Sequence, residues 1–378
     1  MSAPRILFAG GGTGGHLYPA LNIADAMRGL DPSAEFFFLG SQRGIEARVL
    51  PDTGYPYALL PLQPILRTRP WRNWRLLWTA PAVVRGVTGV IRRFCPSLVA
   101  GTGGYVSGPA LGWAALRRLP TAIQEQNAEP GLVTRWLAPR VDQIHLGYPE
   151  AERRLSAGRA VVHAFGNPVA PPSPSPGDVG DRFEWPPGRI VLVVGGSQGA
   201  RGLNACLLRD LEQAGSGTAD SSEWPADVSV VWVAGRDHAA EVAARVGALP
   251  WTDRILVVPF ISGLGAQLDR VTLALSRAGA MLVAELCAAG CPAVYVPFPA
   301  AAGGHQSSNA KALADIGAAL VREEKDLHAG ELWGECRALL DDGSRLAAMS
   351  QAARSRARPE AATRIAEAML ALATGGRP

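Results

Sequence analysis

The chain has 378 residues, 48% hydrophobic and 19% charged, enough to bury two cores rather than one, with a formal net charge of only +4. Its charge is uneven: residues 53–124 hold nine arginines and no acid, which leaves −5 on the remainder. Such a block points to one anionic partner surface and excludes a general nucleic-acid binder, so no nucleic acid is expected as partner.

In chain order, RILFAGG opens as a β-strand rather than as an export signal. Residues 6–9, 36–39, 98–100, 121–124 and 143–146 read as short apolar strands separated by helix-length stretches, the pattern of a parallel α/β sheet. A proline-rich segment follows (Pro168, Pro171, Pro172, Pro174, Pro176, Pro186, Pro187), and the pattern restarts at 190–194, 228–233, 255–258, 273–275 and 293–296. The fold expected is therefore α/β, with two Rossmann-like doubly wound domains facing each other across a cleft. Their bounds are 1–167 and 168–357, and a C-terminal helix within 358–378, set off near Pro359, packs back on the first domain. The longest uncharged stretches, 99–116 and 286–304, are broken by glycine and proline and read as no transmembrane helix. Cys95, Cys206, Cys287, Cys291 and Cys336 are scattered among small apolar residues, which reads as buried thiols, with no metal site.

Three glycine-rich loops follow predicted strands. GGGTGGHLYPAL (10–21) precedes a helical run at 20–27, and so much glycine at a helix start suits backbone approach to an anion. Gly10, Gly12 and Gly15 also fit a dinucleotide fingerprint, with Glu35 where the ribose acid would stand. A second cradle, GTGGYVSGP (101–109), is hard to reconcile with one dinucleotide. GGSQGARGLN (195–204) contains Gly195, Ser197 and Gly199 in nucleophile-elbow spacing, with His305 as a conceivable base, yet a hydrolase leaves the first two loops without a task. The only lysines, Lys311 and Lys325, lie in no glycine loop, so a Walker P-loop is absent. For any single loop the plain alternative is a tight strand-to-helix turn.

These loops, with EQNAEPG (125–131), GNPV (166–169), SRAGAMLVAELCAAGCPAVYVPFP (276–299) and HQSSNA (305–310), occur in one order along nearly the whole chain. In this the sequence resembles the peptidoglycan GlcNAc transferases, which are GT-B glycosyltransferases. The resemblance implies an inverting, UDP-GlcNAc-dependent transferase whose acceptor is undecaprenyl-linked muramyl pentapeptide, with no cofactor, no metal, and cell-wall assembly proteins as further partners. It implies UDP-GlcNAc contacts at Thr13, Gly14, Gly15, Asn127, Ser197, Ile261, Ala280, Met281, Leu282, Val283, Ala284, Glu285 and Gln306, with Glu285 on the ribose and Ser197 on the phosphates. The acceptor diphosphate falls to Gly14, Gly15, Gly103, Gly104 and Tyr105. His16 is the first candidate for the single general base, because imidazole titrates near neutrality, and Glu125 is the second. Two departures stand out: Ala170 where the family often has arginine, so that either the contact is lost or another arginine such as Arg201 replaces it, and Gln124 where histidine is common. A GT-B transferase acting on diacylglycerol or another lipid is the alternative.

Trp71, Trp74 and Trp78 share one face if helical, with Arg67, Arg69, Arg72 and Arg75 around them. Aromatic residues at headgroup depth beside guanidinium groups predict peripheral docking on an anionic membrane surface, here the cytoplasmic face of the cell membrane.

Overall fold

The computed structural model describes residues 3–64, 70–169, 183–196, 200–216 and 224–375. The chain forms two compact units, Met1–Val169 with Arg358–Pro378, and Ala170–Ala357.

The first unit holds strands β1 (Arg5–Ala9), β2 (Glu35–Ser41), β3 (Tyr57–Leu60), β4 (Leu98–Gly101), β5 (Thr121–Glu125), β6 (Gln143–Leu146) and β7 (Val161–His163). They pair in parallel in the order β3-β2-β1-β4-β5-β6-β7. Its helices are α1 (Gly14–Leu30), α2 (Glu46–Val49), α3 (Trp74–Phe94), α4 (Gly104–Leu116) and α5 (Leu132–Leu137). Side chains of a strand alternate between faces, and β1 serves a core on each. Leu7 and Ala9 join Val87, Ile91, Val106 and Leu111 of α3 and α4, while Ile6 and Phe8 join Leu17, Ile23 and Met27 of α1.

The second unit repeats the plan with β8 (Arg189–Val194), β9 (Val228–Val233), β10 (Ile255–Val258), β11 (Leu273–Ser276), β12 (Ala293–Tyr295) and β13 (Ala319–Val321), all parallel in the order β10-β9-β8-β11-β12-β13. Helices α6 (Arg201–Gly215), α7 (Ala239–Val246), α8 (Ala280–Ala289), α9 (His305–Ala314), α10 (Glu331–Asp341) and α11 (Gly343–Arg356) complete it. Both sheets are Rossmann-like. Strand order reverses between β1 and β4 in one and between β8 and β11 in the other, so each unit has one switch point, the place where folds of this kind bind ligands.

Three strands were not expected: β3, β7 and β13. All are sheet edges of three or four residues with little burial, so they lack the continuous apolar run that marks the interior strands. The first helix also begins earlier than expected, at Gly14, inside the glycine motif itself.

After Pro359 the chain forms α12 (Ala361–Ala373), which lies against α1, with Ile365, Ala366 and Met369 fully buried in the core that contains Ile6 and Phe8. Ile365→Ala should cost about 2–4 kcal/mol in urea unfolding, because the hole would open beneath a two-sided contact.

Candidate functional site

In unit 1 the switch point is flanked by the first two glycine loops, after β1 and after β4. They are knitted together around His16, in the first turn of α1. Thr102 Oγ1 donates to the His16 carbonyl at 2.7 Å. The His16 ring packs on Gly103, where a β-carbon would stand 2.7 Å from its Cδ2, and on Gly104, where one would strike the Gly11 carbonyl. Both glycines have positive φ, +99° and +71°, so only glycine offers this conformation and this approach together. Nδ1 of His16 lies 3.1 Å from the Gly11 carbonyl and 3.2 Å from Thr13 Oγ1. A carbonyl oxygen only accepts, so Nδ1 carries the proton and the neutral ring's lone pair sits on Nε2, beside Gly103.

Glu125, at the end of β5, is buried and its carboxylate is saturated. Oε1 accepts from the backbone and side-chain amides of Asn127, both at 3.1 Å, and Oε2 accepts from Gly131 N at 3.0 Å and Thr134 Oγ1 at 2.6 Å. It thereby shapes the 125–131 loop and anchors the start of α5. Asn127 is oriented by that carboxylate. Gln124, buried beneath, hydrogen-bonds Asn167 and Gln126, and Gln126 donates to the Thr102 carbonyl at 2.7 Å. This network, with Asn167 Nδ2 donating to the Gln126 carbonyl, ties GNPV to the second glycine loop. Its letters were visible as motif residues, but their partners are set by the fold.

In unit 2, α8 starts directly after β11, with Gly279 as its N-cap, and carries residues 280–285 across its first turns. Two buried side chains hold that start: Asn309 donates to the Ala278 carbonyl at 3.1 Å, and Arg277 donates to the carbonyls of Val296 and Pro297 and pairs with Glu324. Glu285 packs against the turn Leu264–Arg270, its Cδ 3.3 Å from the β-carbon position of Gly265, which brings it close to the segment bearing the buried Ile261. Burial pushes the Glu285 carboxyl up to about 7. Gln306, in the first turn of α9, accepts from Phe298 N at 2.9 Å. Ser197, Gly199 and Ala170 lie outside the described residues, and Arg201 is exposed at the start of α6.

The helices at the two switch points, α1 and α4 in one unit and α6 and α8 in the other, begin without a side-chain cap and without an acid in the first turn. Such N-termini present unneutralised N–H dipoles to an anion. Glu35 does not serve a dinucleotide: it opens β2, at the opposite end of the sheet, and pairs with Arg5 at 3.2 Å.

Trp71, Trp74 and Trp78 are 70%, 57% and 78% exposed, with Leu77 at 76%, so this is an outward apolar face rather than core. Trp71 sits in a 3-10 turn, Pro70–Asn73, instead of on the helix, which begins at Trp74. Arg75 is exposed beside them, while Arg67, Arg69 and the Arg72 side chain lie outside the described residues. Four cysteines are buried as expected. Cys95 is exposed, because it caps the end of α3 in a left-handed conformation.

Sequence comparison agrees with this division. Residues 6–146 match the glycosyltransferase family 28 N-terminal domain and residues 190–365 the glycosyltransferase family 28 C-terminal domain. The chain therefore belongs to glycosyltransferase family 28, enzymes of the GT-B class with two Rossmann-like domains. A Salinibacter ruber protein is 40% identical, covering 98% of this chain and 97% of its own, and a Moorella thermoacetica protein is 37% identical, covering 98% and 100%. Both are named UDP-N-acetylglucosamine--N-acetylmuramyl-(pentapeptide) pyrophosphoryl-undecaprenol N-acetylglucosamine transferase. The crystal structure of Acinetobacter baumannii MurG superposes with a TM-score of 0.73 at 28% identity, covering 97% of this chain and 99% of that one. Within family 28 the chain belongs with the MurG transferases.

The Glu285 carboxyl gives a stability test. Its raised pKa means that the folded state holds the proton more tightly than the unfolded chain. The contribution is full below the ordinary value of 4.5 and is lost as pH rises through about 7. Glu285→Gln should leave stability almost unchanged at acid pH and raise it at pH 8 by about 1–3 kcal/mol, read from urea melts at both pH values.

Proposed function

We propose that this chain transfers N-acetylglucosamine from UDP-N-acetylglucosamine to the muramyl 4-hydroxyl of undecaprenyl-pyrophosphoryl-MurNAc-pentapeptide, the step from lipid I to lipid II in peptidoglycan synthesis. The observation that carries this reading is the full-length likeness to transferases of that name, which runs through both units.

The donor belongs to unit 2. UDP lies at the uncapped starts of α6 and α8, with Ser197 and the adjoining amides on the diphosphate, Glu285 on the ribose hydroxyls, Ile261 on the uracil and Gln306 on the sugar. A carboxyl desolvated to a pKa near 7 is suited to exchange its proton state when ribose hydroxyls arrive. The acceptor belongs to unit 1, where Thr13, Gly14, Gly15, Gly103, Gly104 and Tyr105 surround its diphosphate and Asn127 reaches the incoming GlcNAc.

His16 is the general base. With Nδ1–H held by Gly11, Nε2 takes the proton of the 4-hydroxyl as its oxygen forms the bond to the anomeric carbon and the bond to UDP breaks on the opposite face. A single displacement turns an α-linked donor into a β-1,4 product. Glu125 is the weaker candidate, since four hydrogen bonds already occupy its oxygens. Charge on departing UDP is met by helix N-termini, so turnover should persist in chelator.

The tryptophan face of α3 and its preceding turn docks on the anionic surface of the membrane that carries the acceptor, at its cytoplasmic side. No helix among the described residues is long and apolar enough to cross a membrane.

Radiolabelled UDP-GlcNAc offered with a short-chain lipid-linked muramyl pentapeptide should label that acceptor and not diacylglycerol; label on diacylglycerol alone would overturn the acceptor. His16→Ala should lower kcat by about 10²–10⁴-fold with UDP-GlcNAc affinity little changed. Trp74→Ser with Trp78→Ser should abolish flotation with anionic liposomes while soluble short-chain acceptor is still glycosylated.

A further inference from the structure

Tyr105 joins the second glycine loop to a groove of separate character. One edge of its ring meets the first loop, with Cε1 2.9 Å from the β-carbon position of Gly12, and its hydroxyl donates to Ser41 Oγ at 3.3 Å. The same ring lines a small open-sided groove of about 180 Å3 in unit 1. Leu62, Pro64 and Leu76 supply apolar lining, and Arg43, Arg75 and Asn73 supply polar lining. Arg43 and Arg75 are both exposed, and neither pairs with a carboxylate among the described residues. The chain around Arg75 contains no acid from residue 53 to residue 124.

We propose that this groove holds the phosphate-proximal end of a polyprenyl diphosphate, with Arg43 and Arg75 on the lipid-side phosphate and Leu62, Pro64 and Leu76 against the first isoprene units. The proposal rests on the acceptor reading above and extends it to a part of the acceptor that takes no part in the chemistry. Charge complementarity selects the occupant. Two guanidinium groups without a carboxylate partner among the described residues call for an anion, since guanidinium pairs well with phosphate oxygens. Aliphatic lining beside them adds nothing for a free phosphate and discriminates for an amphiphile. Position agrees: Tyr105 places one end of the groove at the loops around His16, and Arg75 and Leu76 belong to the first turn of α3, between the exposed Trp74 and Trp78. A chain that leaves the groove along α3 therefore runs onto the face proposed to meet the bilayer.

Titration calorimetry of the full chain with farnesyl diphosphate, kept below its micellar concentration, tests this, with inorganic pyrophosphate and farnesol as parallel ligands. Farnesyl diphosphate should bind at least about tenfold more tightly than either. Arg43→Ala with Arg75→Ala, and separately Leu76→Gln, should each weaken it by about tenfold, with unaltered thermal melts showing that the variants fold. Pyrophosphate binding as tightly as farnesyl diphosphate would leave an anion site and overturn the lipid assignment. Affinity lost in Trp74→Ser with Trp78→Ser, but kept in the groove variants, would overturn the groove. Absence of GlcNAc transfer with the predicted binding pattern intact would sink the proposed function while supporting the groove, so the two failures are distinct.

Discussion

The site in unit 1 depends on one steric constraint: two loops at the sheet's switch point approach until the backbone of one touches the histidine of the other. A β-carbon at Gly103 or Gly104 would occupy space now filled by the His16 ring or the Gly11 carbonyl. Close approach does three things together. It fixes the ring's orientation through Nδ1–H and Gly11, it aligns the starts of α1 and α4 beside one another, and it brings Tyr105 against the first loop. Polar groups buried behind the loops, Gln124, Gln126 and Asn167, then keep the second loop from relaxing, because each would lose a buried hydrogen bond if it moved.

Unit 2 solves a related problem by different means. Its helix α8, proposed above to meet the donor, is held at its start by the buried Arg277, whose guanidinium spans two carbonyls and the Glu324 carboxylate. Breaking such a pair leaves an uncompensated buried charge, at a cost of about 3–5 kcal/mol, so the start of α8 is rigid. Glu285, by contrast, is desolvated without a charged partner among the described residues, which is why its pKa rises. One acidic group is anchored by an ion pair and the other is desolvated without one.

Much of this was legible in the sequence, and the reasons differ by element. Interior strands such as those carrying the FFFL and VVWV runs are apolar on both faces and announce themselves, whereas the edge strands β3, β7 and β13 are short and half-exposed. Glycine loops were readable because left-handed backbone and close approach require glycine in particular. His16 stood out for its place at a helix start. The roles of Glu125, Gln126 and Arg277 were not readable, since each is defined by partners that the fold brings from other strands or loops. Glu125 looks like a catalytic acid or base in one dimension and like a loop anchor in three. Trp71, Trp74 and Trp78 are all exposed, but Trp71 sits in a 3-10 turn rather than on the helix from which the spacing argument derived a common face.

Imidazole nitrogen NMR of His16, assigned by comparison with His16→Gln, tests the central claim most directly, because the proposed role of His16 as base requires a lone pair on Nε2. Above the titration range of the ring, Nδ1 should be protonated and Nε2 unprotonated. A proton on Nε2 with a bare Nδ1 would contradict it, since the Gly11 carbonyl would then face a lone pair and the nitrogen beside Gly103 could not act as the proposed base.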